Sequence, residues 1–280
     1  PSWIEAWAVM PARTVAGHAL LLDNTHGAFF TSGHRYEANL HSATGWQVRG
    51  FGVLGLPLPQ GGFTAHHAWA HTAGGADHAD VYEVAFDNVA DPLAYRVDDE
   101  WRTAGEWDHE MYVNTPQGVE RRVYRFRRTH HGPVVAVRDG RALAVRIARL
   151  EEGGALQQWY EMSRAAGLES FRTALNARAL TLSTVYADTA GNIYLLHGNA
   201  VPRRDAAVDW SRPVSGNTRA TEWQGWHELA ELPELLNPTA GWLYSGGGTY
   251  GPVGGGADVP AYVAAARVTS ARADVARAVL

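Results

Sequence analysis

Through the first half of the chain, apolar positions come in short runs rather than at helical spacing. Leu20–Leu22, Tyr36–Leu40 and Asp80–Phe86 are rich in apolar, β-branched or aromatic residues and read as strands. Arg141–Leu150 alternates most clearly: Leu143, Val145 and Ile147 point one way, and the charges include Arg146 and Arg149. Gly61-Gly62, Gly74-Gly75 and Asp139-Gly140 mark turns between such runs. The period changes over Leu168–Leu180, where Leu168, Phe171 and Leu175 fall on one face of a helix. Thr184–Ala187 and Ile193–Leu196 read as a second strand set, joined by the turn Asp188-Thr189-Ala190-Gly191-Asn192. Gly246–Gly256 is glycine-rich and reads as loop. Tyr262–Leu280 is rich in alanine, carries Arg267, Arg272 and Arg277, and reads as helix. Many strands with a few helices give a mixed α and β content.

Composition narrows the function classes. The 280 residues are 46% apolar and 19% charged, enough to bury a sizeable core and too apolar for disorder. A net charge of −5 argues against nucleic acid as a partner. No apolar run reaches the 18 or so residues of a membrane helix, and no basic start followed by an apolar stretch reads as a signal peptide. With no cysteine, disulfides, thiolate metal sites and a cysteine nucleophile are all excluded. Eleven tryptophans point to aromatic-lined surfaces or pockets.

Few residues advertise chemistry by spacing alone. His66, His67 and His71 lie close together with His78 nearby, and read either as metal ligands or as hydrogen-bonded histidines. Asp77 and Asp80 are three apart in a turn and could share a hard cation or simply be solvated. The 246–256 loop has neither the G-x-G-x-x-G setting nor the lysine of a phosphate loop. There is no G-x-S-x-G elbow and no H-E-x-x-H.

Longer segments carry a resemblance. Ala6-Trp7-Ala8-Val9, Ala12-Arg13-Thr14, Gly17 and Leu20-Leu21-Leu22-Asp23-Asn24-Thr25-His26 resemble the opening of the catalytic β chain of penicillin acylases and of the related acyl-homoserine-lactone acylases. Leu54-Gly55-Leu56-Pro57, His67-Ala68-Trp69-Ala70-His71-Thr72 and His131-Gly132-Pro133-Val134 continue it. So do Leu156-Gln157-Gln158-Trp159-Tyr160, Tyr186-Ala187-Asp188 with Gly191-Asn192-Ile193, and Glu222-Trp223-Gln224-Gly225, followed by Leu232-Pro233, Asn237-Pro238 and Gly241. The resemblance implies an α+β N-terminal-nucleophile hydrolase fold in four αββα layers, two stacked, mainly antiparallel sheets between helices. It implies a single β-chain-like core domain over 1–280, shortened at its C-terminal side, with a separate α chain as partner.

In such acylases a serine freed at the β-chain N-terminus attacks the amide carbonyl, with its own α-amino group as base. The family register puts that nucleophile three residues before Trp7, at Ile4, and the spacing to the helper histidine, matched by His26, gives the same position. Ser2 lies two residues out of register. Ala73 matches the backbone oxyanion donor, while Gly247 stands where the family has its oxyanion Asn. Arg267 matches a family arginine near the site. Trp159 and Gly27 match pocket positions, and Gly27 in place of a bulky aromatic enlarges the pocket. Asp77, Asp80 and Pro202 match residues that hold a structural calcium ion; no organic cofactor is implied.

The resemblance and the replacements together give three expectations. The first is a diverged enzyme acting on an acyl or peptide-like small molecule by acid–base or cyclisation chemistry, with His26, Glu5, Tyr36 and Arg267 as its polar groups. The second is a conventional amide hydrolase using Ser2. The third is a non-catalytic ligand-binding or partner subunit.

Overall fold

The computed structural model describes residues 4–25, 33–73, 76–138 and 140–246, together with 260, 262 and 275. The chain divides into two compact units. The first is built from 1–77, 149–201 and 226–280, the second from 78–148 and 202–225.

Six strands open the first unit: β1 (Ile4–Val9), β2 (Leu20–Thr25), β3 (Arg35–His41), β4 (Gln47–Val53), β5 (Gly61–Phe63) and β6 (His67–Thr72). The second unit supplies β7 (Ala79–Val84), β8 (Ala94–Val97), β9 (Glu100–Thr103), β10 (Gly105–Thr115), β11 (Gly118–Thr129), β12 (Gly132–Arg138) and β13 (Arg141–Ile147). The chain then returns to the first unit with α1 (Ala155–Arg164), α2 (Leu168–Leu175), β14 (Ser183–Asp188) and β15 (Ile193–Leu196). β16 (Val214–Ser215) belongs to the second unit, and β17 (Glu234–Leu236) and β18 (Trp242–Ser245) to the first.

In the first unit an antiparallel sheet ordered β18-β1-β2 packs on an antiparallel seven-stranded sheet ordered β17-β15-β14-β6-β5-β4-β3. The layer between them is made of Ala6, Ala8, Ala70, Val185, Ala187, Ile193, Leu195 and Leu243. Small side chains on both sheets let them approach closely. The strands β6, β14 and β15 are buried on both faces. Strand alternation sends Trp69, Tyr186 and Leu196 the other way, onto Trp159 and Met162 of α1 and Phe171 and Leu175 of α2. Two stacked antiparallel sheets with a helical cover are the α+β architecture expected. Among the described residues that cover is the α1–α2 layer.

The second unit holds a six-stranded sheet, β10-β11-β12-β13-β7-β16, and the pair β8-β9. Its core gathers Tyr82, Val84, Tyr95, Val97, Ala144 and Val214. The hairpin β10–β11 pairs Gly105–Thr115 with Gly118–Thr129 and is exposed over nearly its whole length. One of its faces carries Trp107, Met111, Tyr124 and Phe126; the other carries ion pairs such as Arg125 Nε–Asp108 Oδ1 at 2.8 Å.

Two helical expectations change. The helix expected over Leu168–Leu180 stops at Leu175, because Asn176 caps it and Arg178 takes a left-handed φ of 47° that no helix accepts. The helix expected over Tyr262–Leu280 and the loop after Gly246 lie almost wholly outside the described residues. No helix among the described residues is long and apolar enough to cross a membrane.

Candidate active site

The start of β1 is held from both sides. Ile4 pairs with Thr25 of β2, and Ala6 with Ser245 of β18. Ser245 in turn meets β6, where its Oγ lies 2.6 Å from Thr72 Oγ1. Both hydroxyls are buried, so one donates to the other and neither is left unpaired. This bond draws together the ends of three segments: β1 at Ile4, β6 just before Ala73, and β18 just before Gly246 and Gly247. Ala73 itself is exposed.

The helical layer reaches the same end of β6. Trp159 Nε1 donates to His71 Nε2 at 3.0 Å. That fixes the tautomer, so His71 Nδ1 carries the hydrogen and donates to Thr184 Oγ1 at 3.1 Å or the Ser183 carbonyl at 3.4 Å. His67 Nε2 is 3.0 Å from the Met162 carbonyl oxygen and Nδ1 is 3.3 Å from Thr64 Oγ1. Burial pushes both imidazoles down to about 4, so both are neutral at pH 7. Of the two readings for this histidine group, His67 and His71 are hydrogen-bonded core residues.

The sequence did not single out Asp23. It sits opposite Ala6, and burial pushes its carboxyl up to about 6 against a Thr25 hydrogen bond and the Arg35 charge, which both lower it. Its signal was a lone acid within the apolar run of β2.

The penicillin amidase family profile matches residues 5–280. The chain belongs to the penicillin amidase family. It is 25% identical over 244 residues to the acyl-homoserine lactone acylase QuiP of Pseudomonas fluorescens, covering 85% of this chain and 29% of that protein. To the acyl-homoserine lactone acylase PvdQ of Pseudomonas putida it is 30% identical over 214 residues, covering 72% of this chain and 27% of that one. Among solved structures, the thermostable penicillin G acylase of Alcaligenes faecalis superposes with a TM-score of 0.75 at 26% identity, over 86% of this chain and 43% of that chain. The chain thus spans less than a third of the length of these curated relatives.

Against the penicillin amidase register, some expected site residues fall together and others do not. Ile4, Ala73 and Trp159 belong to elements that meet at one end of β6. Ser2, His26, Gly27, Gly247 and Arg267 lie outside the described residues. Glu5 is buried on the face of β1 that carries Trp7, packed with Tyr244. Tyr244 Oη donates to its Oε1 at 3.3 Å and Asn24 Nδ2 to its Oε2 at 3.4 Å. A two-residue period turns it away from the intersheet layer of Ala6 and Ala8, which corrects its expected place among the site's polar groups. Tyr36 begins the outermost strand at the same sheet end, three strands and about 14 Å from β6 at ordinary strand spacing. Its phenol donates to the Leu56 carbonyl at 2.5 Å.

The calcium positions are divided between the units, Asp77 in the first, Asp80 and Pro202 in the second. Asp80 Oδ2 accepts from Arg204 Nε at 2.7 Å and from Trp223 Nε1 at 2.5 Å. The Asp80 and Arg204 side chains are only 2% and 5% exposed. A dication on this carboxylate would stand beside that guanidinium and compete with it for the same charge.

Proposed function

We propose that this chain binds an acyl or peptide-like amide at the β1 end of the first unit and acts on it without the family's serine nucleophile, by acid–base or cyclisation chemistry. One observation carries the reading: Ile4 occupies the register position opposite Thr25, where the strand ends of β1, β6 and β18 converge. An isoleucine has no lone pair to attack a carbonyl. Its neighbours support the same reading. The backbone N–H of Ala73 can still serve as an oxyanion donor, whereas glycine at 247 offers no side-chain donor, and losing one such donor costs about 10²–10³ in rate. His26 and Arg267 are the polar groups this chemistry draws on. The relatives' additional length, on this polypeptide or on a separate α chain, would complete the binding site.

The test is labelling and turnover on the purified protein. Serine-directed sulfonylating reagents leave its intact mass unchanged, and N-acyl amides, acyl-homoserine lactones among them, are not hydrolysed. Ile4→Ser alone does not restore hydrolysis, because the donor at 247 remains missing. A stoichiometric adduct on Ser2 would overturn this reading in favour of a conventional amide hydrolase. Ligand binding without turnover across an acyl and peptide panel would instead favour a binding subunit.

A further inference from the structure

Two family segments that the acyl site does not use, His131-Gly132-Pro133-Val134 and Glu222-Trp223-Gln224-Gly225, meet inside the second unit. One ring nitrogen from each of His130 and His131 and one carboxylate oxygen of Glu222 all lie within 4.8 Å of one another. The His131 side chain is fully buried, and its ring stacks on Tyr82 with centroids 3.8 Å apart. Its Nε2–H donates to the Gly216 carbonyl at 3.2 Å, which leaves a lone pair on Nδ1. That Nδ1 has no hydrogen-bond partner. It faces Glu222 Oε1 at 3.7 Å, another acceptor. A buried lone pair that faces a carboxylate oxygen is costly unless something positive joins the two.

The surroundings orient both acceptors. Arg146 NH1 donates to Glu222 Oε2 at 3.0 Å, leaving Oε1 directed at the histidines. The Arg146 guanidinium is itself held over the Trp223 ring, 4.4 Å from its centroid. His130 Nε2 is 2.6 Å from Glu222 Oε1, and its Nδ1 is 2.9 Å from Tyr95 Oη. An imidazole held by a backbone carbonyl through one nitrogen and open at the other is the usual setting of a metal-bound histidine.

We propose that His130 Nε2, His131 Nδ1 and Glu222 Oε1 bind a divalent transition ion of the zinc class, with the fourth position open to solvent. Two imidazoles and a carboxylate suit such an ion better than calcium or magnesium. With its Nε2–H committed to the Gly216 carbonyl, His131 presents Nδ1 as its lone-pair nitrogen, and no proton need be removed from it. The His130 and Glu222 side chains are 21% and 27% exposed, which gives the ion a way in. Binding replaces the hydrogen bond between them. Coordination at Nε2 needs the His130 hydrogen on Nδ1, which faces Tyr95 Oη at 2.9 Å, with the Tyr95 O–H turned off that nitrogen, and the two ligand atoms open to about 3.3 Å, as tetrahedral bonds of about 2 Å require. Nothing is oxidised or reduced, and a proton on His130 Nε2 is displaced by the ion to Nδ1 or to solvent.

The proposal is independent of the acyl site and is tested without substrate. The intact protein, stripped with chelator, is titrated with zinc chloride by calorimetry and by imidazole ¹⁵N NMR. One zinc per chain is expected, with the largest shifts at His130 Nε2 and His131 Nδ1. His130→Ala, at a part-exposed side chain, weakens binding at least tenfold, and Tyr95→Phe, behind the ligand, by about tenfold. The absence of saturable binding, shifts confined to other histidines, or unchanged affinity in His130→Ala would each overturn it. The NMR readout on the unaltered protein holds even if a variant folds poorly.

Discussion

At the scale of single residues, Asp80 shows a buried charge met by donors of the chain itself. Its Oδ2 takes both the Arg204 guanidinium and the Trp223 indole in a nearly solvent-free setting. Arg204→Met should therefore destabilise the protein by about 3–5 kcal/mol in urea unfolding, because it strands a buried carboxylate. Adding Asp80→Asn to that variant should recover most of the loss. Addition of calcium should leave the unfolding midpoint of the unaltered protein in place, and a calcium-dependent rise would restore the metal reading of Asp80. Such partnerships were not legible in the sequence: 124 positions separate Arg204 from Asp80, and nothing in the local pattern links them.

Among the elements, α1 does more than cover the sheet. Its Gln158 Oε1 accepts from Ala179 N at 2.7 Å and its Nε2 donates to Asn199 Oδ1 at 3.2 Å, while Trp159 fixes the His71 tautomer. Trp159→Phe keeps much of the ring packing but leaves His71 Nε2 without its donor. The expected cost is about 1–3 kcal/mol in urea unfolding, and a variant as stable as the parent would show the indole bond to be incidental. The strands Ile193–Leu196 and Arg141–Ile147 were legible because burial shapes their composition directly. By contrast, α1 was visible only through the family resemblance around Trp159, since a single buried stripe leaves most of Ala155–Arg164 polar. The hairpin β10–β11 escaped for the opposite reason. Both its faces meet water, so nothing selects an apolar and polar alternation. The resemblance singled out Ile4, Ala73 and Trp159, whose elements meet at one end of β6, while the turning of Glu5 away from the intersheet layer follows from the pairing and period of β1.

Across the whole molecule, acid should act through buried imidazoles. His67, His71 and His131 are each pushed down to about 4 in the fold, so the unfolded chain takes up their protons first. Stability should fall as pH drops from about 6.5 towards 4. Asp23 works against this: raised to about 6, it takes its proton in the fold first and adds stability as pH falls towards 4. Three histidines against one aspartate leave a net loss, seen as a lower urea midpoint at pH 5 than at pH 7.5; a higher one would contradict the buried neutral assignments. The pairing of β1 with both β2 and β18 has another consequence, for a chain made one residue at a time. As β1 leaves the ribosome it can find β2 almost at once, but its other edge must wait for Trp242–Ser245. At about 5–20 residues per second, the roughly 230 residues between Val9 and Trp242 take about 12–46 s to make. For that interval the strand carrying the Ile4 position is an open edge, and newborn chains on neighbouring ribosomes are the nearest things able to close it.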